Sequence, residues 1–264
     1  YENGEDSMRI YVFNIKKLFK YAAALIIITC IFSTSGVLAL KAVKTVNSGR
    51  LLPIYSVDYL EKKVAITFDC AWGADDIPDI LKTLKAQNVK ATFFIIGEWA
   101  EKYPDAVKMI AADGHDVANH SYSHPKMGSR DSSKVREEIQ KCNEILEKLS
   151  GKKVELFRAP YGDYGNTVIA EAQKLNCYAI QWDVDSLDWK PGITQDEILA
   201  RVLQKVKNGS IILFHNDTPH TARLLPTIIE ALKSQGYGFE PVSKLIYREN
   251  YIIDYDGRQK IRSN

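Results

Sequence analysis

The sequence predicts an α/β fold on a parallel sheet, and three observations carry that reading. Apolar, strand-like runs alternate with helical periodicity about seven times from Lys63 onward, the pattern of repeated β–α units. Asp69, His120, Arg158, Asp183 and His215 stand at or just after the C-terminal ends of such runs. In a parallel (β/α) barrel those ends converge on one face. No G-x-G-x-x-G follows the first run, which counts against a doubly wound dinucleotide-binding sheet. A (β/α) barrel of about seven or eight units is the expected architecture.

Composition sets the frame. At 264 residues, 45% hydrophobic and 26% charged, the chain can bury a full core. The net charge of +2, with no basic stripe interleaved with aromatics, gives no case for a nucleic-acid partner. Cys30, Cys70, Cys142 and Cys177 lie far apart without a C-x-x-C and are not a disulfide framework. With only five histidines, their positions are informative.

Taken in order, residues 1–20 read as a cytoplasmic N-terminal segment, with Met8 a candidate start. Residues 21–40, "YAAALIIITCIFSTSGVLAL", carry no charge and are long enough to cross about 30 Å of hydrocarbon as a helix. They are expected to be a transmembrane helix or a signal sequence, Val37 and Ala39 having the small-residue spacing of a cleavage site. The expected location is therefore the cell membrane, single-pass with the following domain extracytoplasmic, or secreted after cleavage near Ala39. Residues 41–61 read as a linker, 62–248 as the barrel domain and 249–264 as a polar, solvated tail.

Within the domain, "VAITF" leads to Asp69. Ile77, Ile80, Leu81 and Leu84 then recur at i, i+3, i+4 and i+7 of a helix. "ATFFII", a helix around 106–112 and "HDVAN" follow. Val135, Ile139, Cys142, Leu146 and Leu149 form one helical stripe that Gly151 is placed to stop. "VELF", a helix near 167–175, "YAIQW", a helix over 195–206, "SIILF", a helix over 222–232 and "YGFEPV" complete the series.

The chemistry sits in the turns after the strands. "NHSYSHP" holds His120 and His124 four apart, so both imidazoles can point one way and grip a metal; two solvated loop histidines are the plain alternative. Two imidazoles with a third ligand and an open water position suit a catalytic zinc, and Asp69 is the nearby carboxylate to take the water's proton. Arg158, leaving an apolar strand in "FRAPYGDYG", suits pairing with a buried carboxylate. "QWDVDSLDW" brings three acids and two tryptophans, and "IILFHND" ends a strand on His215. His115 and His220 read as the openings of a strand and a helix.

Five motifs then occur in a fixed order: Thr67-Phe68-Asp69, His120-Ser-Tyr-Ser-His124, Arg158-Ala-Pro160-Tyr161, Asp185-Ser-Leu-Asp188-Trp189 and Leu213-Phe-His215. Residues 63–246 resemble the polysaccharide deacetylases of carbohydrate esterase family 4. "AWG", "RAPYGDYGN" and "IQWDVDSLDWK" look closest to its sporulation-associated, PdaB-like subgroup. The resemblance implies a distorted (β/α) barrel and metal-dependent N-deacetylation of an amino sugar in peptidoglycan or a chitin-like oligosaccharide, with Zn²⁺ the first expected metal and Co²⁺ the second. Carried over, Asp69 is the general base, oriented by Arg158. His215 is the general acid, its charge set by Asp188, and the Tyr161 backbone N–H helps hold the oxyanion. His120 and His124 are metal ligands. Trp72, Pro160, Tyr161, Trp189 and Leu213 bind substrate.

One position departs from the family pattern. Cys70 stands where a second aspartate would complete an Asp-His-His metal site, and Ala71 stands where glycine is expected. The thiolate can replace the carboxylate, since zinc accepts sulfur readily. Alternatively Cys70 packs as a small apolar residue, leaving two histidines and waters. The third outcome is a glycan-binding pseudoenzyme. O-acetyl ester hydrolysis on a carbohydrate is a further alternative.

Overall fold

The computed structural model describes residues 49–262. The expected membrane or signal helix at residues 21–40 lies outside them. Among the described residues no helix is long and apolar enough to cross a membrane.

Seven strands form one parallel ladder. In chain order they are β2 (Lys63–Cys70), β3 (Thr92–Ile95), β4 (Asp116–Asn119), β5 (Leu156–Phe157), β6 (Tyr178–Ala179), β7 (Val184–Asp185) and β8 (Ile211–His215). Their order across the sheet is β6-β5-β4-β3-β2-β8-β7, and β9 (Gly238–Phe239) adds to the first residues of β2. The path has two ends, β6 and β7, so the barrel is open on one side. A right-handed helical crossover follows each strand in such a sheet. The connecting helices are α1 (Ile77–Ala86), α2 (Gly97–Lys102), α3 (Pro104–Ala112), α4 (Ser132–Ser150), α5 (Asn166–Lys174), α6 (Gln195–Lys205), α7 (Thr221–Ser234) and the short α8 (Val242–Leu245).

The helices form where the periodicity places them. α1 buries Ile77, Ile80, Leu81 and Leu84. α4 buries Val135, Ile139, Cys142 and Leu146 and ends at Gly151, whose φ of 68° sits in the left-handed region and whose N–H donates to Glu147 O at 2.9 Å. α6 opens with a capping box between Thr194 and Glu197.

Period-two alternation sorts the strand side chains into two layers. Phe68, Cys70, Phe93, Ile95, Ile212 and Phe214 pack outward, under the helices. Ala65, Phe94, Ala118 and Ile211 point inward and, with Ile54, Val57, Ile180 and Leu245, plug the barrel. Thr67, Asp69, Leu213 and His215 continue the inward rows toward the C-terminal rim, in register: Thr67 is opposite Leu213 and Asp69 opposite His215.

Two expectations are corrected. The stretch read as a linker contains β1 (Ser56–Val57), and the stretch read as a solvated tail contains the antiparallel pair β10 (Tyr251–Ile253) and β11 (Arg258–Ile261). β1 runs parallel to β11, Ser56 opposite Arg258 and Val57 opposite Gln259. The physical reason is burial inside polar-looking segments. Val57 and Gln259 are both fully buried, and the Gln259 side chain bonds both backbone groups of Tyr247. Ile54 further bridges to Ile180 beside β6.

This N-terminal attachment depends on Gly209. Its φ is +77°, and a Cβ there would lie 1.8 Å from the Val57 carbonyl oxygen. Gly209→Ala is therefore expected to lose about 3 kcal/mol or more, read as a lowered midpoint in urea unfolding; an unchanged midpoint contradicts the close approach.

Candidate active site

A cavity of about 340 Å³ opens at the C-terminal ends of the strands. Asp69, 4% exposed, reaches it from β2. The fully buried Arg158 emerges after β5, and its Nη1 donates to Asp69 Oδ1 at 2.6 Å and to Thr67 Oγ1 at 2.9 Å. Nη2 donates to the Gln181 carbonyl at 3.1 Å, and the guanidinium lies 3.9 Å from the centroid of the Phe94 ring. Burial alone pushes the Asp69 carboxyl up; the charges of Arg158, His120 and His215 outweigh it and hold the pKa below the ordinary aspartate value.

His215 faces the same cavity from the neighbouring strand. Its Nδ1 lies 2.9 Å from Asp188 Oδ1, and its backbone N–H donates to Asp188 Oδ2 at 2.7 Å. Thr221 Oγ1 donates to that same Oδ2 at 2.5 Å. Burial alone pulls the imidazole pKa down; the hydrogen bond and charge of Asp188, then the charges of Asp69 and Asp185, outweigh burial and set it above the ordinary histidine value. Two adjacent groups are thereby poised oppositely, one ionised as a base and one protonated as an acid.

The two motif histidines come together. His120 Nδ1 bonds the Arg158 carbonyl at 2.8 Å, so in the neutral ring the hydrogen is on Nδ1 and Nε2 offers a lone pair. That Nε2 is 3.4 Å from Asp69 Oδ2. The ring centroids of His120 and His124 are 5.0 Å apart, and His124 Nδ1 lies 3.1 Å from the Tyr161 hydroxyl. Burial lowers the pKa of both; that of His124 falls to about 4, with the charge of His120 as the second cause. Two neutral imidazoles suit a divalent ion.

The third ligand is not formed. Cys70 follows Asp69 in the same strand and so points to the opposite face, fully buried among Phe68, Ile77, Ile95 and Phe214. Burial, with the charges of Asp69 and Asp76, pushes its thiol well above the ordinary cysteine range. Among the described residues no group of three or more His, Cys, Asp or Glu side chains is arranged to hold a metal ion. The expectation of Cys70 as a ligand is therefore corrected to a packing role, and the donor set does not fit a three-ligand zinc site.

Eight of the expected residues line the cavity: Asp69, Trp72, His120, His124, Tyr161, Trp189, Leu213 and His215. Arg158 and Asp188 stand directly behind them. Pro160 does not line it; it is buried as the first residue of the turn Pro160–Gly162. Asp183 is elsewhere too, accepting from Ser210 Oγ and Ile211 N near the start of β8. The sequence reading missed Ala71, Trp182 and Asp185 as lining residues, although the last two were within its acidic, tryptophan-rich motif. It also missed Glu138, which accepts from the N–H groups of Tyr122 and Ser123 and from Ser123 Oγ and so clamps the histidine loop from α4.

Backbone strain gathers here. Of eight non-glycine residues with positive φ, five (Ser121, His124, Tyr161, Leu187 and Asp217) lie in the loops after β4, β5, β7 and β8; the other three are asparagines, which tolerate that region. Strain of about 1–3 kcal/mol per residue persists where surrounding contacts over-determine a functional loop.

A partly open parallel barrel with a base–acid cavity at its C-terminal rim defines a hydrolase-like (β/α) domain. Residues 56–180 match the family model described as Polysaccharide deacetylase. A peptidoglycan-N-acetylglucosamine deacetylase of Bacillus cereus is 40% identical over 190 residues, covering 70% of this chain and 68% of the relative. The peptidoglycan-N-acetylmuramic acid deacetylase PdaA of Bacillus subtilis is 30% identical over 213 residues, covering 78% and 80%. Wild-type BA3943 of Bacillus anthracis, a CE4 family pseudoenzyme, is 38% identical with a TM-score of 0.71, covering 73% of this chain and 68% of that one. A mutant of BA3943 with restored enzymatic activity matches with the same TM-score of 0.71 at 39% identity, covering 73% and 70%. The chain belongs to the polysaccharide deacetylase family, carbohydrate esterase family 4.

Because the thiol packs in the core, Cys70→Ala is expected to leave zinc affinity unchanged by calorimetry while costing on the order of 1 kcal/mol of stability. A loss of zinc affinity would return Cys70 to the metal.

Proposed function

We propose that this domain hydrolyses the N-acetyl groups of amino sugars in peptidoglycan or a related acetylated glycan. One observation carries the reading: across a single cavity walled by Trp72, Trp182, Trp189 and Leu213, Asp69 is held ionised and His215 is held protonated. Amide hydrolysis needs both. Asp69 takes a proton from the attacking water, and His215 gives one to the departing amine nitrogen. Arg158 fixes the carboxylate, Asp188 fixes the imidazole, and the Tyr161 backbone N–H is the oxyanion donor. Leu213 and Trp189 receive the acetyl methyl, and Trp72 offers the sugar a flat face. The relatives named as peptidoglycan deacetylases support the substrate class.

A divalent cation, zinc first and cobalt second, has only the imidazoles of His120 and His124 to hold it and binds more weakly than at a three-ligand site. That weakness supports a second reading, glycan binding without turnover, and the likeness to a CE4 pseudoenzyme favours it too. O-acetyl ester hydrolysis by the same groups is the alternative reaction. The uncharged stretch at 21–40 supports placement at the outer face of the cell membrane or export, and the subgroup resemblance supports a role in sporulation.

Acetate release from N-acetylated and O-acetylated glycans, with and without zinc or cobalt, tests the assignment. Release from the N-acetylated glycan is expected, and Asp69→Asn abolishes it. Release only from O-acetylated glycan selects the esterase, and none under any metal, with glycan still bound, selects the binding reading. The pH dependence has a definite sign. The acid must carry its proton, so activity falls as pH rises through the His215 pKa, above the ordinary histidine value near 6.5. Asp188→Asn removes the largest group raising that pKa, so the alkaline limb moves to lower pH; an unmoved limb removes His215 from the acid role.

A further inference from the structure

At the opposite end of the barrel, where β3, β4 and β5 begin, lies a second cavity of about 340 Å³. Lys90, Lys152, Lys153, Lys244 and Arg248 line it, against two carboxylates, Asp116 and Glu155. Both carboxylates are already engaged. Asp116 accepts from Thr92 Oγ1, Ser243 N and Ser243 Oγ, and Glu155 pairs with Arg248 at 3.0 Å. Lys153 pairs with Glu147 outside the cavity, and Lys90 Nζ donates to the Asp113 carbonyl. Lys152 and Lys244 have no carboxylate partner among the described residues. The cavity therefore carries positive charge in excess of its own acids.

His115, 3% exposed, lines the same cavity at the start of β4. Its Nδ1 accepts the Ala91 N–H at 3.1 Å, so the hydrogen of the neutral ring is on Nε2. Burial, then the charge of Lys90, lowers its pKa to about 4, so the ring is neutral at physiological pH. Nε2–H has no acceptor among the described residues. A buried donor without an acceptor costs about 1–3 kcal/mol, and such a group in a native fold asks for a partner.

We propose that this cavity binds a phosphate group. A tetrahedral oxyanion supplies the acceptor that the imidazole N–H lacks and the negative charge that Lys152 and Lys244 lack, and lysine is a common point-charge partner of phosphate. The site is separate from the catalytic rim and does not depend on the deacetylase reading. Free phosphate and the phosphate of a larger ester share this chemistry, so the test carries both.

The probes are inorganic phosphate and glycerol phosphate, titrated into protein labelled with ¹⁵N-histidine at constant ionic strength, with sodium chloride as the matched control. Saturable movement of the His115 Nε2–H and Ala91 N–H signals is expected with phosphate and not with chloride. The exposed double variant Lys152→Gln/Lys244→Gln, which leaves the core untouched, is expected to weaken binding about tenfold or more. Response to inorganic phosphate marks a free-anion site, and response to glycerol phosphate alone marks an ester site. Shifts that chloride reproduces, shifts that survive the double variant, or no shift with either phosphate overturn the proposal.

Discussion

The carboxylate of Asp69 is almost wholly out of water, and it stays ionised because a fully buried guanidinium donates to it from 2.6 Å. A buried ion alone costs several kcal/mol; paired and hydrogen-bonded, the two offset much of each other's desolvation. Arg158 is itself held by Thr67, the Gln181 carbonyl and the face of Phe94. Its own backbone carbonyl fixes the His120 tautomer. One side chain thus couples β2, β4, β5 and the turn before β7, and the base, one imidazole and the mouth of the cavity all take their positions from it.

Strand register does the rest. Asp69 and His215 are partners across adjacent parallel strands, so base and acid share one face without any loop having to place them. The same alternation that turns Asp69 inward turns Cys70 outward into apolar packing. The family's metal position is thereby lost through the choice of residue at one position, while the acid–base pair is untouched. The strained loops at the rim, Tyr161 foremost, add the rest of the wall.

Much of this was legible in the sequence because strand ends and helical stripes have short periods. "VAITF" and "SIILF" marked the strands that deliver Asp69 and His215, and the stripe from Val135 to Leu146 is α4 as built. What escaped was set by longer-range packing. β2 continues through Cys70, one step beyond the apolar run, and only that continuation fixes which way the thiol faces. The C-terminal pair looked polar because its buried members, Gln259 above all, are satisfied by distant backbone; the Asp256-Gly257 dipeptide between "YII" and "RQKI" was the local hairpin signal available. Trp182 follows a two-residue strand, too short a run to say which side of the sheet it joins. The partner of His115 in its turn is a backbone N–H 24 residues away, which no local pattern predicts.

The most direct test of the opposed electrostatic settings is an NMR titration of the Asp69 side-chain carboxyl and the His215 imidazole in one sample. The account predicts that the carboxyl loses its proton below the ordinary aspartate range while the imidazole keeps its own above the ordinary histidine value. A carboxyl titrating at or above the usual range, or an imidazole already neutral below about 6.5, would contradict it.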